Sequence, residues 1–371
     1  MSVFRVTLKK TIDDSYDIAV GRSLTGQLLK DLQDGLMGSR RRFALITDST
    51  VEKLYAEAIC RSLLGAGFQG QVFAFPAGEK HKTRETKAGL EDRMLQAGYR
   101  RDCFVLAVGG GVVSDLAGFL AGTFGRGVPF INYATTLLSA ADASVGGKTA
   151  VDTPLATNLI GLFYQPKKVY IDIDCWNTLP AREISSGLAE TVKHACLADR
   201  AFFEYLEKHI GEIRKIAPEA CEYIARRNCE IKYRVVMKDE RESGLREVLN
   251  LGHTVGRAIE TLSGYRLLHG EALSIGLIAQ GALAARMGYM TPEEAGRVKA
   301  LLAGAGLPVR IPEYIDREAL TDRLYTDKKV RNNCLRFVIQ KGIGSVVEFS
   351  PDVYATEVDR ETAREILLAM E

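Results

Sequence analysis

Histidine is scarce in this chain of 371 residues, which carries five, and tryptophan occurs once. Charge of one sign is also missing. Lys and Arg number 49 against 47 Asp and Glu, so the net charge of +2 offers no case for a nucleic-acid or membrane-surface partner. No long apolar run is present either. The longest weakly polar stretch, Ala272 to Leu283, falls far short of the roughly 20 residues that span a bilayer. The opening, Met1 to Val6, reads as a strand and lacks the apolar core of a signal peptide. The seven cysteines are odd in number and form no CxxC pair, so they read as free thiols in a reducing compartment, which places the protein in the cytoplasm. No repeat or low-complexity segment appears. What remains is an ordinary globular composition, 46% hydrophobic and 26% charged, on a length that favours two domains.

Scarcity makes two of the histidines informative. His253 sits in Asn250-Leu251-Gly252-His253-Thr254 and His269 in Leu268-His269-Gly270-Glu271. With Glu190, in Gly187-Leu188-Ala189-Glu190-Thr191-Val192-Lys193, they offer one carboxylate and two imidazoles. That set suits zinc, and three ligands leave a position open for a substrate oxygen, as catalytic rather than structural sites do. Each histidine alone reads as a structural or surface residue; the three motifs together carry the metal reading.

The first half alternates strands with helical stretches: Phe43–Thr47, Gln71–Phe75, Cys103–Val108, Pro129–Tyr133 and Lys168–Ile173. Continuous apolar strands separated by helices indicate a mostly parallel sheet covered on both faces. Beyond Trp176 the strand signal fades, and residues 181–305 show helical periodicity broken at Ala217-Pro218 and at Gly304–Pro308. The expected architecture is an α/β nucleotide-binding domain over 1–176, followed by a mainly helical domain over 177–371.

Two loops look fit for phosphate. The strand Cys103–Val108 runs into Gly109-Gly110-Gly111-Val112-Val113-Ser114-Asp115 and then a helix, a cradle in which glycines admit the backbone and the helix N-terminus favours negative charge. The spacing is not GxGxxG, and alone the turn is as readily a plain loop. The second, Asp142 to Thr149, contains Gly146-Gly147-Lys148 but lacks the spacing of a Walker loop, which excludes that class. Lys193 shares a helical face with Glu190, and Arg257 with His253. A surface ion pair is the plain reading of the first. A guanidinium beside a metal, as in the second, is suited to a phosphate. The charge-dense run from Glu230 to Arg246 reads by default as a solvated helix face, but it leads straight into Asn250 and His253.

Together these motifs resemble the 3-dehydroquinate synthases and the wider sugar phosphate cyclase family. The likeness covers nearly the whole chain, from Pro76-Ala77-Gly78-Glu79-Lys80 through SVGGKTAVD, Asn158-Leu159-Ile160-Gly161, DERESGLR and LNLGHT to Asp327-Lys328-Lys329-Val330. It implies a lyase of the shikimate pathway, dependent on NAD and on zinc or another divalent ion such as cobalt. Its substrate would be 3-deoxy-D-arabino-heptulosonate 7-phosphate, taken to 3-dehydroquinate by transient oxidation, phosphate β-elimination, reduction and aldol closure. Glu190, His253 and His269 would hold the metal. Asp48, Glu79, Lys82, Gly109, Gly110, Gly111, Val112, Asp115, Thr135, Thr136, Lys148, Thr178 and Glu183 would contact the cofactor, with Asp142 near its nicotinamide. Lys148, Asn158, Lys193, Glu242 and Asn250 would surround the substrate, and Lys232 with Arg246 would grip its carboxylate. Arg126 would serve the phosphate site of the neighbouring subunit in a homodimer, with Lys329 adding charge there.

Three positions depart from the family pattern. Arg257 stands where a second histidine is expected, Thr157 replaces a lysine, and Ser114 replaces a glycine of the pyrophosphate loop. The alternatives are a sister cyclase acting on sedoheptulose 7-phosphate or glucose 6-phosphate, a metal-dependent polyol dehydrogenase, and a non-catalytic homologue. Retention of Lys232, Arg246 and Asn250 favours a substrate with a carboxylate.

Overall fold

The computed structural model describes residues 3–9, 11–326 and 335–370. A six-stranded sheet is built from β1 (Asp17–Gly21), β2 (Arg42–Asp48), β3 (Gln69–Phe75), β4 (Cys103–Gly109), β5 (Phe130–Ala134) and, after the hairpin β6 (Lys148–Thr153) and β7 (Ala156–Phe163), β8 (Lys168–Asp172). The order is β1-β8-β5-β4-β2-β3 and every pairing is parallel. Every residue of β4 and β5 is buried, which is why these strands read as unbroken apolar runs. Helices α1 (Thr25–Gln33), α2 (Ser49–Val51), α3 (Glu57–Gly65), α4 (Arg84–Gln96) and α5 (Gly111–Thr123) connect the strands. From β2 the chain turns outward to β3, then crosses back to β4. The crevice beyond the carboxyl ends of β2 and β4 is therefore the point where the winding reverses, the usual ligand position in such sheets.

Helices follow: α6 (Ala181–Ala198), α7 (Arg200–Arg214), α8 (Pro218–Lys238), α9 (His253–Leu262), α10 (His269–Arg286), α11 (Pro292–Gly304), α12 (Arg317–Thr326) and α13 (Arg360–Ala369). The breaks expected from Pro218 and from Gly304 onward fall at the start of α8 and the end of α11. One core joins these helices to β5 and β8 through Ala134, Val169 and Ile171, so the helical part packs directly on the sheet.

Three features differ from the sequence reading. Among the described residues the N-terminal alternation forms no strand; Val3, Phe4, Val6 and Leu8 lie exposed, and the first described strand begins at Asp17. Gly147-Lys148-Thr149 opens a hairpin rather than a plain loop, because Thr149 packs against Gly118 of α5 and its hydroxyl donates to the Leu162 carbonyl. A two-stranded antiparallel piece, β9 (Leu335–Val338) with β10 (Ala355–Val358), interrupts the helical half.

Candidate active site

Close helix packing brings together the three residues expected to hold a metal. Buried residues line nearly the whole of α6 from Ile184 to Leu197, so Glu190 and Lys193 lie inside the protein rather than on a surface face. A Cβ on Gly270 would run into the Ser186 carbonyl, and one on Gly276 into the Gly252 carbonyl. These contacts bring the first turn of α10 against α6 and its second turn against the start of α9. His253 and His269 open α9 and α10, so both rings converge on Glu190. His269 Nε2 lies 3.1 Å and His253 Nε2 3.4 Å from Glu190 Oε1, with ring centroids 5.3 Å apart. His253 Nδ1 faces the Leu251 carbonyl at 3.3 Å. A carbonyl only accepts, so Nδ1 carries the proton and Nε2 presents its lone pair to the centre. His269 Nδ1 faces Glu260 Oε2 at 3.5 Å. Two oriented Nε2 atoms and a fully buried carboxylate, all within 4.8 Å of one another, fit a zinc-type ion with an open position.

The electrostatics follow this geometry. Burial pushes the Glu190 carboxyl up, but Lys193, at 2.5 Å from Oε2, and the two imidazoles outweigh it and hold it well below the usual carboxylate range. Burial and Lys193 push His253 down to about 4. Burial also acts against charge on His269, yet hydrogen bonds to Glu190 and Glu260 win and raise it to about 10.

Next to the triad, Asp142 is shared by two lysines. Lys232 Nζ is 2.8 Å and Lys193 Nζ 4.0 Å from its Oδ1, and Lys232 also donates to its backbone carbonyl. Burial works against the Asp142 charge, and Lys232 overcomes it. Beyond Asp142, Lys148 pairs with Glu242, whose Oε1 accepts from Asn250 Nδ2 at 2.7 Å. Arg246 is almost fully buried; it donates to the Gly146 carbonyl at 2.8 Å and to the Glu240 carbonyl, while its Nε has no partner among the described residues. Both cations expected to grip a carboxylate therefore tie the Asp142–Gly146 turn to α8 and the loop after it. Asp239 shapes that loop by accepting from the backbone of Ser243, Gly244 and Arg246.

A second group lies at the reversal crevice. Gly110 caps α5, and a Cβ on Gly111 would press on Ala143 at 3.2 Å. Val112 is half-buried in that first turn. Thr135 donates its N–H to the Gly109 carbonyl, its buried hydroxyl lacks a partner among the described residues, and Thr136 packs on Gly110. Ser114 donates to the Gly110 carbonyl at 3.2 Å and meets Ser139 at 3.2 Å, so the departure from glycine braces the loop. Lys82 bridges Glu79 and Asp115, both at 3.0 Å. Burial nevertheless lifts the Asp115 carboxyl to about 6, against Lys82. Asp48 closes β2 by accepting from the N–H groups of Thr50 and Val51, and Thr178 meets the Tyr55 hydroxyl at 2.5 Å. These groups fit a dinucleotide: close-approach glycines, a helix N-terminus and polar groups at the sheet's carboxyl edge.

Other expected residues stand apart. Glu183 is half-buried near the start of α6, where burial pushes its carboxyl up. Asn158, at a φ of 54°, sits on the exposed side of β7, and its N–H donates to Asp152, which adjoins Glu79 and Lys82 rather than the Lys148 group. Thr157 beside it is exposed. Arg126 is exposed at a φ of 70° in the turn after α5. Arg257 is half-buried on α9 between His253 and Glu260, and its guanidinium makes no hydrogen bond or ion pair within the described residues. Lys329, with the whole 327–330 motif, lies outside the described residues. Sequence reasoning missed Glu260, Asp152 and His194. The spacing of seven between His253 and Glu260, two helical turns on one face, was the available signal for the first. Glu271 caps α10 by accepting from the Leu268 N–H at 2.8 Å and pairs with Arg182, so it supports the motif without facing the centre.

Fold and site together define a metal-dependent enzyme with a dinucleotide crevice beside a cluster of buried cations. The model of the 3-dehydroquinate synthase N-terminal region matches residues 72–186, and that of the C-terminal region matches 187–330. The 3-dehydroquinate synthase of Pelobacter propionicus is 46% identical over 349 residues, 94% of this chain and 95% of that one. Among solved structures, 2-epi-5-epi-valiolone synthase from Streptomyces hygroscopicus subsp. jinggangensis 5008, with NAD+ and Zn2+ bound, superposes with a TM-score of 0.87 at 29% identity over 98% of each chain. A 2-deoxy-scyllo-inosose synthase complexed with carbaglucose-6-phosphate, NAD+ and Co2+ gives 0.87 at 26% identity, covering 95% of this chain and 96% of that one. The chain belongs to the 3-dehydroquinate synthase family.

Proposed function

We propose that the protein converts 3-deoxy-D-arabino-heptulosonate 7-phosphate into 3-dehydroquinate and phosphate. The observation that carries this reading is the intact Glu190–His253–His269 set, flanked by Lys148, Lys193, Lys232 and Arg246, in a chain 46% identical to a named 3-dehydroquinate synthase. When bound, NAD exchanges a hydride with the substrate carbinol and the divalent ion, zinc or cobalt, polarises its oxygen. Glu190 with the two Nε2 atoms would hold the ion. The glycine turn, Asp48, Glu79, Lys82, Asp115, Thr135, Thr136, Thr178 and Glu183 would hold the dinucleotide.

The chain's own cations do the rest. Lys232 and Arg246 would orient the substrate carboxylate over the Asp142 turn. Lys193 would face the hydroxyls, and Glu242 with Asn250 would fix Lys148. Asn158 on the exposed hairpin would close over the bound substrate. Arg257, one helical turn from His253, would bind the leaving phosphate. In contrast to histidine it cannot take up a proton there. Arg126 would complete the phosphate site of a partner subunit in a homodimer; its exposed position at a turn supports this. Lys329 would join it. No described helix is long and apolar enough to cross a membrane, and the six described cysteines are free and buried, in keeping with a reducing cytoplasm.

The test is phosphate release with NAD+ and Zn2+, with the carbocycle identified and sedoheptulose 7-phosphate and glucose 6-phosphate run in parallel. Turnover of the keto acid alone supports the assignment. Cyclisation of another sugar phosphate in its place would make the chain a sister cyclase, a reading that has the structural likeness but only 29% and 26% identity behind it.

A further inference from the structure

His194 lies fully buried on α6, one turn beyond Glu190 and next to Lys193, and the reading above gives it no role. Its hydrogen bonding runs in one direction only. The Gly187 carbonyl cannot donate, so the Thr191 hydroxyl gives it its proton at 3.4 Å. Thr191 must then accept from Asn228 Nδ2, at 2.9 Å, which turns the Asn228 oxygen toward His194 Nδ1, at 3.1 Å. Nδ1 is therefore the protonated nitrogen, and Nε2 is a bare acceptor with no partner among the described residues. A ring nitrogen of His194 lies within 4.8 Å of carboxylate oxygens of both Asp142 and Glu190. These are the two carboxylates that Lys193 Nζ approaches, at 4.0 and 2.5 Å.

An ammonium has three N–H donors and no acceptor. Glu190 holds the ammonium at 2.5 Å, whereas Asp142, at 4.0 Å, attracts its charge from beyond hydrogen-bond reach and leaves donors free. We infer that the open His194 Nε2 is the neutral acceptor available to a free donor of the Lys193 ammonium, completing with Glu190 and Asp142 a cradle beside the metal ligands and making His194 a positioning residue for Lys193. Two anions alone would let the ammonium swing between them. A neutral acceptor fixed by a relay anchored on a backbone carbonyl defines its position without adding charge. A metal at Glu190 competes with Lys193 for that carboxylate, so the uncharged acceptor then becomes the more important hold. The inference rests on the reading of Lys193 as a group that touches substrate.

The test uses Lys193→Met, His194→Phe, His194→Gln and the Lys193→Met/His194→Phe double variant of the whole chain. The readouts are kcat and KM for phosphate release from the seven-carbon keto-acid phosphate, and Co2+ affinity from its visible absorption. His194→Phe should lower kcat roughly 10- to 100-fold, the worth of one hydrogen bond to a charged group, with KM moved by less than about threefold. His194→Gln, whose amide can donate to Asn228 and accept from Lys193, should recover to within about threefold of the parent. In the Lys193→Met background His194→Phe should cost less than about a further twofold, because residues acting as one unit are not additive. A parental kcat in His194→Phe, equal losses in the Gln and Phe variants, or multiplying losses in the double variant would overturn the inference. Should the phenyl ring destroy Co2+ binding, His194→Met makes the same deletion with a flexible side chain and is judged by the same criteria. An unimpaired Lys193→Met would instead remove the reading of Lys193 itself, while an impaired Lys193→Met beside a normal His194→Phe removes only the cradle.

Discussion

Glu260 gives the sharpest prediction about the metal set, because it touches the centre only through His269. Its Oε2 lies 3.5 Å from His269 Nδ1, and it is half-buried on the α9 face that carries His253. A carboxylate behind a ligating imidazole fixes the tautomer and raises ligand basicity, and removing one typically costs 10- to 100-fold in metal affinity, about 1.4–2.7 kcal/mol. Glu260→Gln keeps an acceptor for the Nδ1 proton and loses the charge, so its loss should fall near the lower figure. Glu260→Ala loses both and should approach the upper. Competition between the protein and a chromogenic chelator for Zn2+ measures this directly, with circular dichroism confirming the fold. A dissociation constant for Glu260→Ala within about twofold of the parent would refute the orienting role.

Arg257→His should raise the substrate KM by about tenfold and flatten its dependence on ionic strength, as expected for loss of one charge-assisted contact to phosphate. Unchanged KM and salt slope would remove Arg257 from the site. Asp239→Asn tests the loop behind Arg246. Burial raises the Asp239 carboxyl, but N–H bonds from Ser243, Arg246 and Gly244 outweigh it and hold it at about 2. A depressed carboxylate stabilises the fold above its unfolded value near 4, and that stability is lost as pH falls through about 2. The variant should therefore be about 2 kcal/mol less stable in urea at neutral pH, with the gap closing below pH ~4. Gly270→Ala places a methyl against the Ser186 carbonyl. It should destabilise by about 1–3 kcal/mol and weaken Co2+ binding, and a normal melting curve with normal affinity would disprove the role of that close approach.

The cluster of Glu190, His253 and His269 was legible in the sequence because few residue types supply such donor atoms, and these three stand in dense polar motifs. The parallel sheet was legible because β4 and β5 are buried on both faces and read as apolar runs. Spacing put Glu190 and Lys193 on one helix face without revealing that this face lies inside, since that depends on what α9 and α10 bring against it. The hairpin β6–β7 escaped for a similar reason. Its Lys-Thr-Ala-Val-Asp-Thr strand is mostly polar, and its burial comes from α5, well upstream in the chain. The N-terminal alternation misled in the other direction, because alternation makes a strand only where a partner edge is present. Glu260 and His194 show the same limit at atomic scale: their importance lies in what sits behind a ligand or a lysine, and no motif records it.

Charge balance bears on which substrate the centre takes. Lys148, Lys193, Lys232, Arg246 and Arg257 face Asp142, Glu190, Glu242 and Glu260, so five fixed cations meet four carboxylates. One positive charge is left over, and a divalent ion that replaces the His269 proton brings the total to about three. A carboxylate together with a phosphate near its second ionisation carries about three negative charges, whereas a neutral sugar phosphate carries about two. Binding the keto acid therefore neutralises the centre, and binding a sugar phosphate without a carboxylate leaves a buried cation uncompensated, which is costly. The unmatched group would be Lys232 or Arg246. Both have backbone carbonyls to fall back on, so the carboxylate-free substrate would be bound weakly rather than excluded. On the same balance Arg257 could stand in a histidine's place: were a doubly charged phosphate its partner, a permanent cation there would complete the neutralisation.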